Sequence, residues 1–292
     1  MDDRSGVDAV ASKVAAITSL EVREWRSVGS SHGAGHYRCR FADGRELFVK
    51  SVSSAEGAAE LTAEANGLRW LGEAGAVPVP EVMFCDQGVL GLSWITPAGP
   101  DLSAAECFGR DLAGMHAAAS DRFGAPWQGF IASLPLTNDR ADSWPAWYAE
   151  RRVLPYCRLA RDMGTFGAAD VRLIESVARR IGEVAGPAEP PARIHGDCWS
   201  GNVIWSEGRG WLIDPAAHGG HRETDLAMLA LFGAPHLDRV VGAYQEISPL
   251  ADGWRARVPL HQLHPLLVHV CLFGASYRES ALAAARSAVA AA

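Results

Sequence analysis

The chain has 292 residues, a net charge of −7, and 48% hydrophobic against 21% charged residues. That length holds one large or two modest domains, and the composition is that of a chain with a sizeable core rather than a disordered one. The acidic balance, with no Lys/Arg block, excludes a nucleic-acid footprint, and no uninterrupted apolar run approaches the ~20 residues of a membrane span.

The N-terminal MDDRSG has no apolar stretch of the signal-peptide kind. The six cysteines (Cys39, Cys85, Cys107, Cys157, Cys198 and Cys271) are scattered without a CxxC pair. They read as the reduced thiols of a cytoplasmic protein; a monomer is expected.

Val7, Val10, Val14 and Ile17 recur at helical spacing and predict a helix over 7–20. Residues 21–28 read as a strand. A Gly/Ser-rich stretch at 29–35 then precedes a strand at 36–41, where Tyr37, Cys39 and Phe41 alternate. Such a loop can lay its N–H groups against phosphate oxygens, or it can be an ordinary hairpin loop. It matches neither GxGxxG nor the Walker A pattern. Asp43-Gly44 is a hairpin turn, and the next strand, 46–51, carries Lys50. Lysine occurs only at positions 13 and 50; every other basic residue is Arg, a bias consistent with coding preference. A lysine kept in an apolar strand of such a chain reads as one that must be lysine, although it could simply snorkel to water.

A helix over 55–74 has Ala58, Leu61, Ala65, Leu68 and Leu71 on one face. Glu64 beside that stripe is the best partner for Lys50, with Glu60 as the fallback. Pro78 and Pro80 introduce extended segments at 79–85 and 89–95. The Pro/Gly-rich stretch that follows divides the chain into an N-terminal lobe, 1–95, a hinge or linker, 96–101, and a helical C-terminal lobe, 102–292. In the second part Ser103 is expected to cap a helix to about 118, with His116 structural. Residues 120–143 form a long irregular segment able to shape a substrate pocket. Helices are expected at 144–163 and 168–185, then from Asp225 to 231, at 235–247, 258–275 and from 278. His261, His264 and His269 invite a metal reading, as do His218 and His221, but the first set mixes spacings of three and five with no carboxylate partner, so packing or substrate contact is the preferred reading.

The densest motif is RIHGDCWSGNVIWSEGRGWLIDPAAHGGHRETDLAMLALFG, residues 193–233. Asp197 lies two residues after His195, and Asn202 five after Asp197. In a kinase catalytic loop of that spacing the Asp takes a hydroxyl proton and the Asn holds a metal ion. A hairpin from 203 to 213 returns Asp214 beside Asn202. One carboxylate plus one amide oxygen suits Mg2+, leaving Asp197 free to accept a proton. The bland alternative is that these residues cap turns around a hairpin.

Taken together, HGDCWSGN (195–202), IDPAAHGGHRETDLAML (213–229) and ERRVLP (150–155) resemble the fructosamine kinase, or ketosamine-3-kinase, family of the aminoglycoside phosphotransferase and protein-kinase-like superfamily. FVK (48–50), EANGL (64–68) and LFGASY (272–277) also fit. The resemblance implies an α+β, two-lobed protein-kinase-like fold with a small β-rich N-lobe and a larger helical C-lobe. It implies ATP and Mg2+ in the cleft and phosphorylation of the O3 hydroxyl of ketosamines, free or protein-bound, with a role in deglycation. On that reading Asp197 is the base and Asn202 and Asp214 hold Mg2+. Ser30, Ser31, Gly33, Lys50, Glu64, Ser93, Trp94, Ile95, Ile204 and Ile213 contact ATP. Trp199, two residues past the base, and Arg222 and Glu223, close after Asp214, border the acceptor, although an Arg–Glu pair there reads equally as structural. Departures from the family pattern are Cys198 for Leu, His221 for Asp, Gly129 for Asn, and Ser30-Ser31 where some relatives carry Cys. Two alternatives stay open: an aminoglycoside or other small-alcohol kinase, and a nucleotide-binding pseudokinase.

Overall fold

The computed structural model describes residues 3–291, with side chains described from residue 9; Val7 lies outside the described side chains. Helix α1 (Asp3–Thr18) leads into β1 (Val22–Ser31), β2 (Ala34–Phe41) and β3 (Glu46–Ser51). Helix α2 (Ala55–Gly72) follows, then β4 (Val82–Asp86) and β5 (Val89–Ser93). The five strands form one antiparallel sheet in the order β1-β2-β3-β5-β4. Strand alternation sends neighbouring residues to opposite faces. Leu47 and Val49 join Val14 of α1 in one small core, while Leu90 and Leu92 pack on Leu61, Ala65 and Leu68 of α2. Lys50 is paired across the ladder with Leu90, so it faces α2. That placement follows from the strand period and the two helices, not from the charge.

The Gly/Ser-rich stretch is not a loop. Strand β1 continues to Ser31 and β2 begins at Ala34, leaving His32-Gly33 as a tight turn. Helix α2 is capped by Ser54, whose hydroxyl accepts from Gly57 N.

The remainder is helical, as expected for the second part. Helix α3 (Leu102–Ala117) is capped by Asp101, not Ser103: the Asp101 carboxylate accepts from Ala104 N at 2.7 Å. The segment expected to be irregular holds a short hairpin, β6 (Gly129–Ile131) and β7 (Leu134–Leu136). Helix α4 (Trp144–Tyr148) runs through a π turn, Ala149–Val153, into α5 (Leu154–Asp162). Pro155 has no N–H to donate, and just before it Leu154 N reaches back to Ala149 O, a shift of the ladder by one residue. Helices α6 (Ala168–Arg179) and α7 (Ile181–Val184) complete that wall. Strands β8 (Ala192–Ile194), β9 (Val203–Ser206), β10 (Arg209–Leu212) and β11 (His218–Gly220) then build the central motif. Helices α8 (Glu223–Phe232), α9 (Leu237–Ile247), α10 (Trp254–Phe273) and α11 (Arg278–Ala290) close the fold.

Two cores organise this part. One joins α3, α8, α9 and the β9–β10 hairpin around Phe108, Leu112, Trp205 and Tyr244. The other joins α4, α5, α6, α10 and α11 around Tyr148, Ile174, Leu263 and Leu267. By length and composition alone the stretch Trp254–Ala290 would suffice to cross a membrane, but 56% of its most apolar window is buried inside the fold. A core helix of a large lobe has that character.

Candidate active site

The catalytic-loop motif is held from three directions. Antiparallel pairing of β8 with β11 sets Ile194 opposite His218, a short ladder not expected from the sequence. The carboxylate of Asp225, fully buried in α8, accepts from His195 N at 2.7 Å and Gly196 N at 2.9 Å. His116 Nε2 lies 3.2 Å from the same carboxylate, and its Nδ1 meets Tyr244 Oη at 2.9 Å. Asp225 therefore sits inside its helix as an anchor, rather than opening it. Within the loop the His195 ring receives Asp197 N–H on Nδ1 at 3.2 Å and donates from Nε2 to Ile213 O at 2.9 Å. Those partners require the neutral ring, and burial lowers its pKa accordingly. Gly196 adopts φ +81°, and a Cβ there would lie 2.3 Å from Ala216 O, so both conformation and space require glycine.

The Asn202 amide nitrogen donates to Asp197 O and Asp197 Oδ2, each at 2.9 Å. With two acceptors fixing the NH2 group, the amide oxygen is what Asn202 can offer a cation. The β9–β10 hairpin turns at Glu207-Gly208, both at positive φ, and returns the chain so that Ile213 N donates to Asn202 O at 3.0 Å. The next residue, Asp214, is held at φ +53°, a left-handed conformation that Asp and Asn tolerate better than most.

Lys50 meets this hairpin from the sheet. Its Nζ donates to both Glu64 oxygens, at 2.9 and 2.8 Å, and to Asp214 Oδ1 at 2.6 Å. Burial would strip the Lys50 charge, but Glu64 and Asp214 outweigh it and hold the amine protonated. Burial likewise works against the Asp214 carboxylate, and Lys50 more than offsets it, keeping the pKa below the ordinary range. Asp197 has no cation to do this. Burial lifts its carboxyl to about 7, against the Asn202 hydrogen bond and aided by the nearby Asp214 and Asp225 charges. Two neighbouring carboxylates are thereby driven apart, one fixed as an anion and one poised to exchange a proton near neutrality.

These groups open on one cavity of about 590 Å3. Its walls include Ser31, His36, Lys50 and Glu64 from the sheet side. Asp197, Trp199, Asn202 and Asp214 come from the central motif, and the β6–β7 hairpin supplies Gly129 to Ala132. The segment 120–143 thus does line the pocket. Ser30, Gly33, Ser93, Trp94, Ile95, Ile204 and Ile213 are not on these walls. Trp94 N donates to Glu46 O at 3.1 Å, and the Arg38 guanidinium lies 4.3 Å from the Trp94 ring.

Two expected acceptor contacts are elsewhere. Arg222 forks onto Glu189 at 2.7 and 2.8 Å and reaches Ser248 Oγ at 2.7 Å. Glu223 is buried and gripped by Arg257 at 3.0 and 2.6 Å. Neither lines the cavity; they tie the start of α8 to the 186–191 connector and to α10. His261, read from sequence as lacking a carboxylate partner, has one: its Nε2 lies 3.4 Å from Glu223 Oε2. His221 joins them, with ligand atoms of all three within 4.8 Å. The Arg257 guanidinium already neutralises Glu223, so the cluster reads as packing. His264 and His269, by contrast, line the cavity. So do His36, which stands opposite Lys50 in the ladder, and the aromatic side chains Phe232, Phe273 and Tyr277. Sequence reasoning read His264 and His269 as packing or substrate contacts, but assigned no site role to His36, Phe232, Phe273 or Tyr277, because no local pattern links them.

For a metal, Asp214 and Asn202 supply one carboxylate and one amide oxygen, hard donors that fit a divalent cation such as Mg2+.

The profile of the fructosamine kinase family matches residues 8–290. The chain is 31% identical over 264 residues to the "Probable ketoamine kinase" of Klebsiella aerogenes, covering 88% of this chain and 89% of that protein. It is 31% identical over 298 residues to the "Protein-ribulosamine 3-kinase, chloroplastic" of Arabidopsis thaliana, with 92% and 87% covered. The crystal structure of a Thermobifida fusca protein assigned as a fructosamine-3-kinase superposes with TM-score 0.94 at 51% identity, covering 97% of this chain and 99% of that one. A gentamicin complex of an aminoglycoside phosphotransferase superposes at TM-score 0.67 and 13% identity, a likeness of fold alone. The two-lobed kinase-like architecture and the family match over residues 8–290 together establish that the chain belongs to the fructosamine kinase family.

Proposed function

We propose that the protein, as a cytoplasmic monomer, transfers the γ-phosphoryl group of ATP to the O3 hydroxyl of a ketosamine. The observation that carries this reading is Asp197: a half-buried carboxyl whose pKa is lifted to about 7, on the cavity wall with Lys50 and Asp214, in a chain of this family. A base must lose its proton near working pH yet be strong enough to take one from an alcohol, and that pKa meets both demands. The acceptor hydroxyl hydrogen-bonds to Asp197. Its proton moves to the carboxylate as the new O3–P bond forms and the bond from γ-phosphorus to the ADP oxygen breaks. Asn202, bonded to Asp197 Oδ2, keeps the carboxylate from rotating. Lys50, aimed by Glu64, neutralises phosphate oxygens. Asp214 and the Asn202 amide oxygen would hold Mg2+, which when bound supplies charge neutralisation at the phosphates.

In this reading Ser30, Ser31 and Gly33 at the β1–β2 turn lie over the phosphates, and Ser93 to Ile95, Ile204 and Ile213 surround the adenine. Trp199, which lines the cavity, offers a ring face to the sugar. The product 3-phosphate eliminates and releases the amine, which is the basis of a deglycation role. An aminoglycoside acceptor is less well served. The carboxylates on the cavity wall are Glu60, Glu64, Asp197 and Asp214, of which Glu64 and Asp214 already hold Lys50, too few for a polycation.

The test is ATP consumption with ribulosamine, erythrulosamine and fructosamine derivatives of one amine, against kanamycin and choline. Ketosamine turnover is expected, with the smaller sugars preferred. Turnover confined to kanamycin or choline overturns the ketosamine assignment, and nucleotide binding without any turnover favours a pseudokinase.

A further inference from the structure

Trp199, Phe232 and Phe273 are the exposed aromatic side chains among the described large apolar residues, at 37%, 37% and 55% exposure, and all three stand on the wall of the catalytic cavity. Scattered apolar residues on a surface need no explanation, but a contiguous exposed patch marks a binding site. This patch is contiguous. The Trp199 ring meets Phe232 edge-on at 6.0 Å, and Phe232 meets His269 at 5.1 Å. His269 in turn lies 5.4 Å from Phe273 and 4.7 Å from Tyr277. The run of rings begins two residues beyond Asp197 and is assembled from the ends of α8 and α10 and the turn after them. Gly274, at φ +71°, ends α10 and folds the chain back so that Tyr277 reaches His269.

The chemistry of the patch is narrow. Burial lowers the His269 pKa, so its ring is neutral at physiological pH. The remaining wall here is Leu272, Val268 and Pro265, and no carboxylate, Lys or Arg of α10 or the following turn lines the cavity. No charged side chain on this side can pair with the carboxylate of an amino acid. What it can do is stack on a ring and attract a protonated amine through its π faces. A ketosamine carries its nitrogen on C1, two carbons from the reacting O3, so with O3 at Asp197 the nitrogen substituent falls within reach of Trp199 and the rings beyond it.

We propose that this outer half of the cleft is a subsite for an aryl or arylalkyl substituent on the ketosamine nitrogen, an inference that rests on the ketosamine reading above. The preferred substrates are then glycated aromatic amines rather than glycated lysine or free amino acids. Ketosamines of one sugar with methylamine, benzylamine, 2-phenylethylamine, glycine and Nα-acetyl-lysine test this with the full-length enzyme and ATP. The aryl compounds should show kcat/KM about ten-fold above the methylamine and Nα-acetyl-lysine compounds, the scale expected for one ring packed among others, and mainly through KM. Phe273→Ala and Tyr277→Ala should each shrink that ratio toward one by raising KM for the aryl compounds. Equal or better use of the methylamine, glycine or Nα-acetyl-lysine compound, or a ratio that neither variant moves, overturns the subsite while leaving the ketosamine reading standing. Turnover of kanamycin or choline with none of any ketosamine overturns both.

Discussion

At the scale of single residues the site depends on a contrast between Asp197 and Asp214. As the proposed base, Asp197 would act only when ionised, so kcat/KM should rise with pH through about 7 and fall about ten-fold per unit below it. Asp197→Asn should lower kcat by roughly two to four orders of magnitude while nucleotide affinity persists; near-wild-type turnover would reassign the base. The same burial sets a stability effect. The folded-state pKa lies above the unfolded value, so proton uptake stabilises the fold at acid pH, and that stability is lost as pH climbs through about 7. Asp197→Asn should therefore melt about 2–4 °C above wild type at pH 8 and level with it near pH 4, as read by calorimetry. For Asp214 the informative variant is Asn, not Ala, because position 214 sits at positive φ and Asn keeps the conformation while removing the charge. Asp214→Asn should fold normally yet lose productive Mg-ATP binding by titration calorimetry.

At the scale of elements, α8 and the β8–β11 ladder carry the loop through Asp225. Replacing Asp225 with Ala leaves His195 N and Gly196 N buried without an acceptor. It should lower stability by about 3–5 kcal/mol in chemical denaturation and abolish turnover, whereas Ser103→Ala should leave α3 intact because Asp101 caps it. These elements also mark where the sequence was legible. Asp197, Asn202 and Asp214 could be read because a two-strand hairpin fixes their relation locally, and Glu64 because it sits beside the apolar stripe of α2. Asp225 could not: its partners are N–H groups 30 and 29 residues away, and an acid near a helix start looks like a cap. Arg222 and Glu223 misled for the same reason. Closeness to Asp214 in sequence suggested the cleft, while Glu189, Ser248 and Arg257, all distant in sequence, decided their direction. The Gly/Ser stretch at 29–35 looked like a loop, but pairing with β2 extended the strand through it.

At the scale of the whole molecule, the sheet-rich and helical parts meet across the cleft through Lys50, which bridges α2 and the β9–β10 hairpin with contacts at 2.8 and 2.6 Å. The lysine is 6% exposed and held as an ammonium ion. An amine reacts with a reducing sugar through its free lone pair, which this one lacks. The other lysine, Lys13, is exposed on α1. In a chain whose remaining basic residues are all Arg, the lysine surface open to glycation reduces to that single side chain. Prolonged incubation with ribose followed by peptide mass spectrometry should find a lysine adduct at Lys13 and none at Lys50, with phosphotransfer activity retained. Modification of Lys50 in the folded protein would contradict the charge state assigned to it. An enzyme proposed to reverse sugar damage to amines is, by the placement of one ion pair, largely shielded from suffering it at the lysine on its own cleft wall.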